Sequence, residues 1–76
     1  MTAAYVLIQF GVTAPREALT ALRGIAGVKQ AHAVAGPTDC IAFVEAADQE
    51  ALIAVVSAIR AVEGVASTDT RIAWPI

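Results

Sequence analysis

Four segments of the chain are predicted to be strands, and they fall into two kinds. Residues 5–10 and 40–45 are almost continuously apolar and rich in β-branched and aromatic side chains, a pattern typical of strands buried on both faces. Residues 28–35 and 65–73 mix apolar with polar side chains. We therefore expect the first pair at the centre of a sheet and the second pair at its edges.

A first helix is predicted between the first two strands. Pro15 suits the first helical position, with Thr13 or Ala14 as the capping residue before it. Gly27 is the expected end of this element. Apolar side chains recur at helical spacing and predict one buried face, formed by Ala18, Leu19, Leu22 and Ile25.

A second helix is predicted between the third and fourth strands. Asp48 is the expected N-cap, and Glu50 lies in the first turn, where a negative charge favours the helix dipole. Gly64 is the expected end. The buried face is predicted to contain Leu52, Val55, Val56, Ile59 and Val62.

One short motif occurs twice. Residues 21–28 and 58–65 share Ala, Arg, Gly and Val at the same places, at a constant offset of 37 residues. A chain of 76 residues holds two such units, whereas a solenoid needs at least about three. The repeat therefore predicts a small domain with pseudo-twofold symmetry.

The order strand, helix, strand, strand, helix, strand predicts an α+β fold. Two right-handed crossovers joined by one hairpin give a ferredoxin-like βαββαβ domain, a four-stranded antiparallel sheet with both helices on one face. The two continuously apolar strands need cover on the other face as well, and the chain has no element left to provide it. We expect a second copy to pack sheet against sheet.

Composition supports a single oligomeric domain over residues 1–76. Hydrophobic residues make up 58% and mean hydropathy is +0.68, which is high for so small a core. One cysteine, Cys40, and one histidine, His32, exclude an intrachain disulfide and argue against a zinc site. Oligomerisation is then the expected source of stability, and no cofactor is expected.

Charge and hydropathy restrict the partners. The net charge is −2 and the five basic residues are scattered, which argues against direct nucleic-acid binding. No apolar run approaches the roughly 20 residues of a membrane-spanning helix. We expect no secretory signal, because the N-terminus lacks a basic stretch followed by an apolar stretch. We expect a cytoplasmic protein with no membrane partner.

Several short motifs in order resemble a known family. They are Ala4-Tyr5-Val6-Leu7-Ile8, Gly27-Val28, Val34-Ala35-Gly36-Pro37-Thr38-Asp39, Val44-Glu45, Gly64-Val65 and Thr68-Asp69-Thr70. Together they resemble the effector-binding, dimerising domain of the Lrp/AsnC family of prokaryotic transcription regulators. The similarity is greatest to members that consist of this domain alone, without the helix-turn-helix DNA-binding domain.

The resemblance implies a homodimer that closes into an α/β barrel and associates further, often into an octamer of four dimers. It implies a small effector, typically an amino acid, bound between subunits. We also expect an indirect influence on transcription, through mixed assembly with full-length regulators of the family or with another partner. No catalytic residues are expected. Thr38 departs from the family pattern, in which this position is often aromatic.

The hairpin formed by Gly36, Pro37, Thr38 and Asp39 is the first candidate ligand site. Its backbone N–H groups could bind a carboxylate, and Asp39 could accept hydrogen bonds from an amino group. The alternative is a structural turn in which Asp39 bonds its own backbone.

Thr68, Thr70 and His32 complete the candidate site. The two threonines lie two residues apart, so their hydroxyls point to the same face of the sheet. Threonine is also common in strands without any ligand. His32 could contact a ligand near the hairpin or line an interface.

Two other functions share the predicted topology. An ACT-like metabolite-binding subunit would pair its sheets side by side, whereas the pattern here predicts sheets face to face. A small dimeric α/β-barrel enzyme would use His32, but no acid or nucleophile accompanies it in the sequence. The absence of a Cys-x-x-Cys pair excludes a heavy-metal carrier.

Overall fold

The computed structural model describes residues 1–11 and 15–74, and Pro15 by its backbone only. Along the chain the elements are β1 (Thr2–Phe10), α1 (Pro15–Arg23), β2 (Val28–Ala33), β3 (Cys40–Ala46), α2 (Gln49–Arg60) and β4 (Val65–Ala73). The predicted βαββαβ order is confirmed. The predicted cap of α1 at Thr13 or Ala14 lies outside the described residues.

The four strands form one antiparallel sheet in the order β2-β3-β1-β4. The apolar strands β1 and β3 are central and the more polar strands β2 and β4 are the edges, as the hydropathy pattern predicted. The helices cover one face of this sheet. The core between the helices and the sheet is formed by Ala4, Val6, Ile8, Leu22, Ala31, Cys40, Ala42, Val44, Leu52 and Ile59.

Strand lengths differ from the prediction where pairing extends or stops them. β1 begins at Thr2 instead of residue 5, because Thr2 pairs with Ala46 of β3, which is itself one residue longer than predicted. β2 ends at Ala33, because the N–H of Val34 already donates to the carbonyl of Asp39 at 3.0 Å and closes the hairpin. β4 has its predicted bounds.

The two helices end earlier than the glycines that were predicted to stop them. α1 ends at Arg23 and α2 at Arg60, and a turn separates each end from its glycine. Gly27 and Gly64 have φ of 98° and 100°, a backbone conformation that glycine adopts without steric cost. Each glycine therefore turns the chain into the next strand, and the repeat is a pair of equivalent corners.

The second face of the sheet is not covered by any described residue of the chain. Tyr5, Leu7, Ile41 and Phe43 alternate with the core residues of β1 and β3 and share this open face. The rings of Tyr5 and Phe43, which are cross-strand partners, lie 5.0 Å apart between centroids. Tyr5 keeps 49% of its surface exposed.

No helix in the part of the chain that the structure describes is long and apolar enough to cross a membrane. Within the same residues, no cluster of three or more metal-ligating side chains occurs.

Candidate functional site

Asp39 joins the β2–β3 hairpin to the end of β1. Its carboxylate Oδ2 accepts a hydrogen bond from the N–H of Phe10 at 2.9 Å. Its own N–H donates to the carbonyl of Ile8 at 3.1 Å. These two bonds extend the contact between β3 and β1 beyond the last ladder pair, Ile8 with Cys40. The hairpin tip is thereby held against the end of β1.

Gln9 extends this connection to β4. Its amide Nε2 donates to the carbonyl of Pro37 at 2.8 Å, and its Oε1 accepts from Ser67 Oγ at 3.2 Å. The register between β1 and β4 shifts between Gln9 and Phe10, which marks a bulge at this point. One side chain therefore bonds both the hairpin and the edge strand, at a position where the sheet bends.

A small cavity lies beside this connection, where the hairpin tip, β1 and β4 meet. Its volume is about 210 Å³, below the range of roughly 300 to 1,000 Å³ that is usual for drug-sized ligands. The space suits a small polar molecule with a short apolar group. Its lining residues are Leu7, Gln9, Thr38, Ser67, Thr68 and Asp69.

The cavity wall carries one ionised carboxylate with a cation beside it. Arg71 Nη2 donates to Asp69 Oδ2 at 2.8 Å, and both side chains are exposed. The hydrogen bond from Arg71 lowers the pKa of Asp69 below its ordinary value, so Asp69 stays ionised at neutral pH. The same bond raises the pKa of Arg71. Charges of both signs are therefore available at this edge.

The structure brings three predicted site residues to this cavity or its rim. Thr38 and Thr68 line it, and the carbonyl of Pro37 binds the side chain of Gln9 next to it. Asp39 lies at the same end of the sheet, with one carboxylate oxygen engaged by β1. Gly36 has a φ of 124° in the exposed turn, and a Cβ there would meet nothing within 4 Å.

The other two predicted site residues lie elsewhere. Thr70 pairs with Val6, whose side chain is fully buried under the helices, so Thr70 lies on the helix side of the sheet. His32 pairs with Ile41 on the open face of β2, the opposite edge from β4. Three strand spacings separate those edges, about 14 Å. His32 is therefore not part of this cavity.

Sequence reasoning missed four lining residues: Leu7, Gln9, Ser67 and Asp69. Gln9 carried a usable signal, since it is the single amide side chain in an otherwise apolar strand. Asp69 lies between Thr68 and Thr70, in one of the motifs on which the family resemblance rests. The period of two along a strand places it on the face opposite those threonines, the face that Leu7 and Gln9 share.

The topology and these contacts define a ferredoxin-like α+β domain with one uncovered sheet face and a small polar cavity at one end. The sequence matches the family described as the Lrp/AsnC ligand binding domain over residues 3–74. The chain belongs to this family. It is thus related to regulatory effector-binding modules of transcription regulators.

Solved structures similar to this chain agree. The protein TTHA0845 from Thermus thermophilus is 32% identical, with a TM-score of 0.92, and the match covers 100% of this chain and 96% of that one. The hypothetical protein PHS023 from Pyrococcus horikoshii is 28% identical, with a TM-score of 0.89, and the match covers 100% and 93%.

A longer regulator has the same fold in part of its chain. The leucine response regulatory protein LrpA of Mycobacterium tuberculosis is 26% identical, with a TM-score of 0.85, over 99% of this chain and 51% of that one. This chain therefore spans about half the length of that regulator. A search of the curated proteins found no significant match.

Proposed function

We propose that this chain is an effector-binding and oligomerising module of the Lrp/AsnC family that binds an amino acid. The carrying observation is the bonding of Gln9 to both Pro37 and Ser67, which assembles one small cavity from three separate segments. A ligand that fills this cavity contacts the hairpin and the edge strand together. Ligand binding is therefore linked to the relative positions of the hairpin and β4.

The chemistry of the cavity supports a zwitterion. Asp69 is an ionised acceptor for an ammonium group, and Arg71 beside it is a donor for a carboxylate. Thr38 and Ser67 add hydroxyl groups, and Leu7 adds apolar surface. Asp69 fits the role of ammonium acceptor better than Asp39, because Asp69 lines the cavity and Asp39 does not. Both oxygens of Asp69 accept from Arg71, so the ligand shares this carboxylate with the arginine.

The open face supports a homodimer. Tyr5, Leu7, Ile41 and Phe43 form a contiguous apolar surface, and large exposed apolar surfaces mark interaction sites in soluble proteins. A second copy that packs its own open face here buries both. The cavity shares residues with the same face, so it lies at the rim of the dimer, where larger assemblies form.

Mixed assembly gives such a module its influence on transcription. A chain that carries the same interface as full-length family regulators enters their oligomers, and the bound effector then biases the assembly. In this proposal the chain acts without direct DNA contact and without catalysis.

Titration with the twenty amino acids, by calorimetry or by NMR, tests the ligand. We expect one or a few to bind at millimolar or lower concentration. Gln9→Ala and Asp69→Asn are expected to weaken binding about tenfold or more, because each removes a polar contact to ligand or hairpin. Gln49→Ala is the matched control, since Gln49 is exposed in the first turn of α2, on the helix side of the sheet, and does not line the cavity. Absence of binding by all twenty overturns the amino-acid assignment.

Light scattering at micromolar concentration tests the dimer. The native chain is expected to have twice its 7.8 kDa mass or an even multiple of it. Phe43→Asp places a charge in the proposed interface and is expected to give monomers. Ile53→Asp is the control, because Ile53 is 59% exposed on α2, away from the open face. A monomeric native chain contradicts the proposal.

A further inference from the structure

A second cavity lies on the outer side of the β4 edge, next to the end of α2. Its volume is about 380 Å³, and it is lined by Arg60, Val65, Ala66, Ser67 and Thr68. Arg60 is its single charged lining residue. Nothing in the proposed function uses this cavity or this arginine.

The first half of the repeat shows what an arginine at this position can do. Arg23 is the equivalent of Arg60, and its Nε and Nη2 donate to the carbonyl of Ala31 at 3.0 and 2.7 Å. These bonds close the outward side of β2, the other edge strand. The offset of 37 residues pairs Ala31 with Thr68 in β4.

Arg60 does not repeat this contact. Among the described residues, no hydrogen bond joins its guanidinium to the backbone of Thr68, and the ion pair of the structure is the one between Arg71 and Asp69. Arg60 is exposed, so its guanidinium donors face solvent and are available to a molecule in the cavity. A guanidinium is a planar cation, so these donors attract an anion.

We propose that this cavity binds a small oxyanion, a carboxylate or phosphate group, through Arg60. A guanidinium presents two parallel N–H donors that match the two oxygens of such a group. The Thr68 hydroxyl is a second donor, whereas the Ser67 hydroxyl is already used by Gln9. Among the residues that the structure describes, no carboxylate lines the cavity to repel the anion.

Three features make the affinity modest. Arg60 ends α2, where the partial charge of the helix dipole is negative. Glu63 follows three residues later, and the chain has a net charge of −2. We therefore expect saturation at concentrations on the order of millimolar, at low ionic strength.

NMR titration at constant ionic strength tests the site, with inorganic phosphate in one arm and acetate in the other. Saturable shifts are expected at residues 60 and 65–68 in at least one arm, and the two arms show which oxyanion is preferred. Arg60→Gln is expected to weaken the binding at least about tenfold, since it removes a charged hydrogen bond. Glu63→Gln is expected to strengthen it.

Lys29→Gln is the matched control, because it removes one positive charge from the exposed surface of β2, away from this cavity. It is expected to leave the titration unchanged. An unaltered spectrum of Arg60→Gln outside residues 60 and 65–68 establishes that the variant is folded. Shifts that are equal in Arg60→Gln and the native chain, or that Lys29→Gln reduces as much, overturn the proposal.

Discussion

Gly27 and Gly64 occupy equivalent corners of the two halves, but they face neighbours of different size. A Cβ at Gly27 would lie 2.7 Å from Val55 Cγ2 and 3.2 Å from the carbonyl oxygen of Glu45, whereas one at Gly64 would meet only Ala18 Cβ, at 3.6 Å. Ala18 and Val55 are themselves related by the offset of 37. The first corner is therefore the more tightly packed of the two.

Arg23 and Arg60, the equivalent arginines of the two halves, also differ in their contacts. Arg23 bonds the outward carbonyl of β2, while Arg60 lines a cavity beside β4. The backbone of the corners is nonetheless the same, with Val28 N–H donating to Ile25 and Val65 N–H donating to Val62, both at 3.1 Å. The two corners thus share one backbone conformation, but an arginine bonds the outward side of β2 and none bonds that of β4 among the described residues. Both candidate sites lie beside β4.

The largest expected effect comes from adding a methyl group at each glycine corner. Gly64→Ala is expected to lower the free energy of unfolding by about 1 to 2 kcal/mol, the cost of a non-glycine residue at positive φ. Gly27→Ala adds overpacking against Val55 and a backbone oxygen, and is expected to cost about 3 kcal/mol. Urea unfolding at one fixed protein concentration measures both.

The controls for this pair come from the repeat itself. Gly24→Ala introduces the alanine that the second half already has at position 61. A Cβ at Gly24 would meet nothing closer than 3.5 Å. It is expected to be neutral or slightly stabilising. Val55→Ala is expected to reduce the cost of Gly27→Ala. Equal losses at Gly27 and Gly64 would mean that the packing difference has no energetic consequence.

The arginines give the second contrast. Arg23→Met is expected to cost about 1 to 2 kcal/mol, because it removes two hydrogen bonds to the carbonyl of Ala31. Arg60→Met is expected to stay within about 0.5 kcal/mol of the native chain. Both variants lose a favourable charge at a helix C-terminus, so that contribution cancels in the comparison. Faster hydrogen exchange in β2 of Arg23→Met would locate the loss.

The fold was predictable because its signals are local. Continuous apolar runs distinguished the central strands β1 and β3 from the edge strands. Asp48 caps α2 as predicted, and its Oδ1 accepts from the N–H of Ala51 at 2.8 Å. The ends of the helices were not predictable to the same degree. A glycine at positive φ marks where a chain turns, and it does not show how many turn residues precede it.

The candidate site was only partly predictable because it is assembled across strands. The hairpin was visible in the sequence, but the bonds of Gln9 to Pro37 and Ser67 span 28 and 58 residues. Their geometry depends on strand register and on the bulge at Gln9. The position of Thr70 away from the cavity has the same origin: its face is fixed by its pairing with Val6.

The smallest expected effect concerns Cys40, the first residue of β3. The offset of 37 residues that relates the two halves places Ala3 of β1 at the equivalent position. The side chain of Cys40 is fully buried. Burial raises the pKa of the Cys40 thiol, and the nearby Arg23 guanidinium opposes this only in part.

The raised pKa links folding to alkaline pH. Above about pH 8.5 the thiol ionises in the unfolded chain while it stays protonated in the folded one, so stability falls as pH rises toward the folded pKa. Cys40→Ala, which makes the two halves alike here, is expected to lose less stability than the native chain between pH 7 and pH 10. Every other ionisable group is common to both chains, so the difference between two urea-unfolding series isolates the thiol. Parallel pH profiles would show that Cys40 ionises as readily in the core as in the unfolded chain.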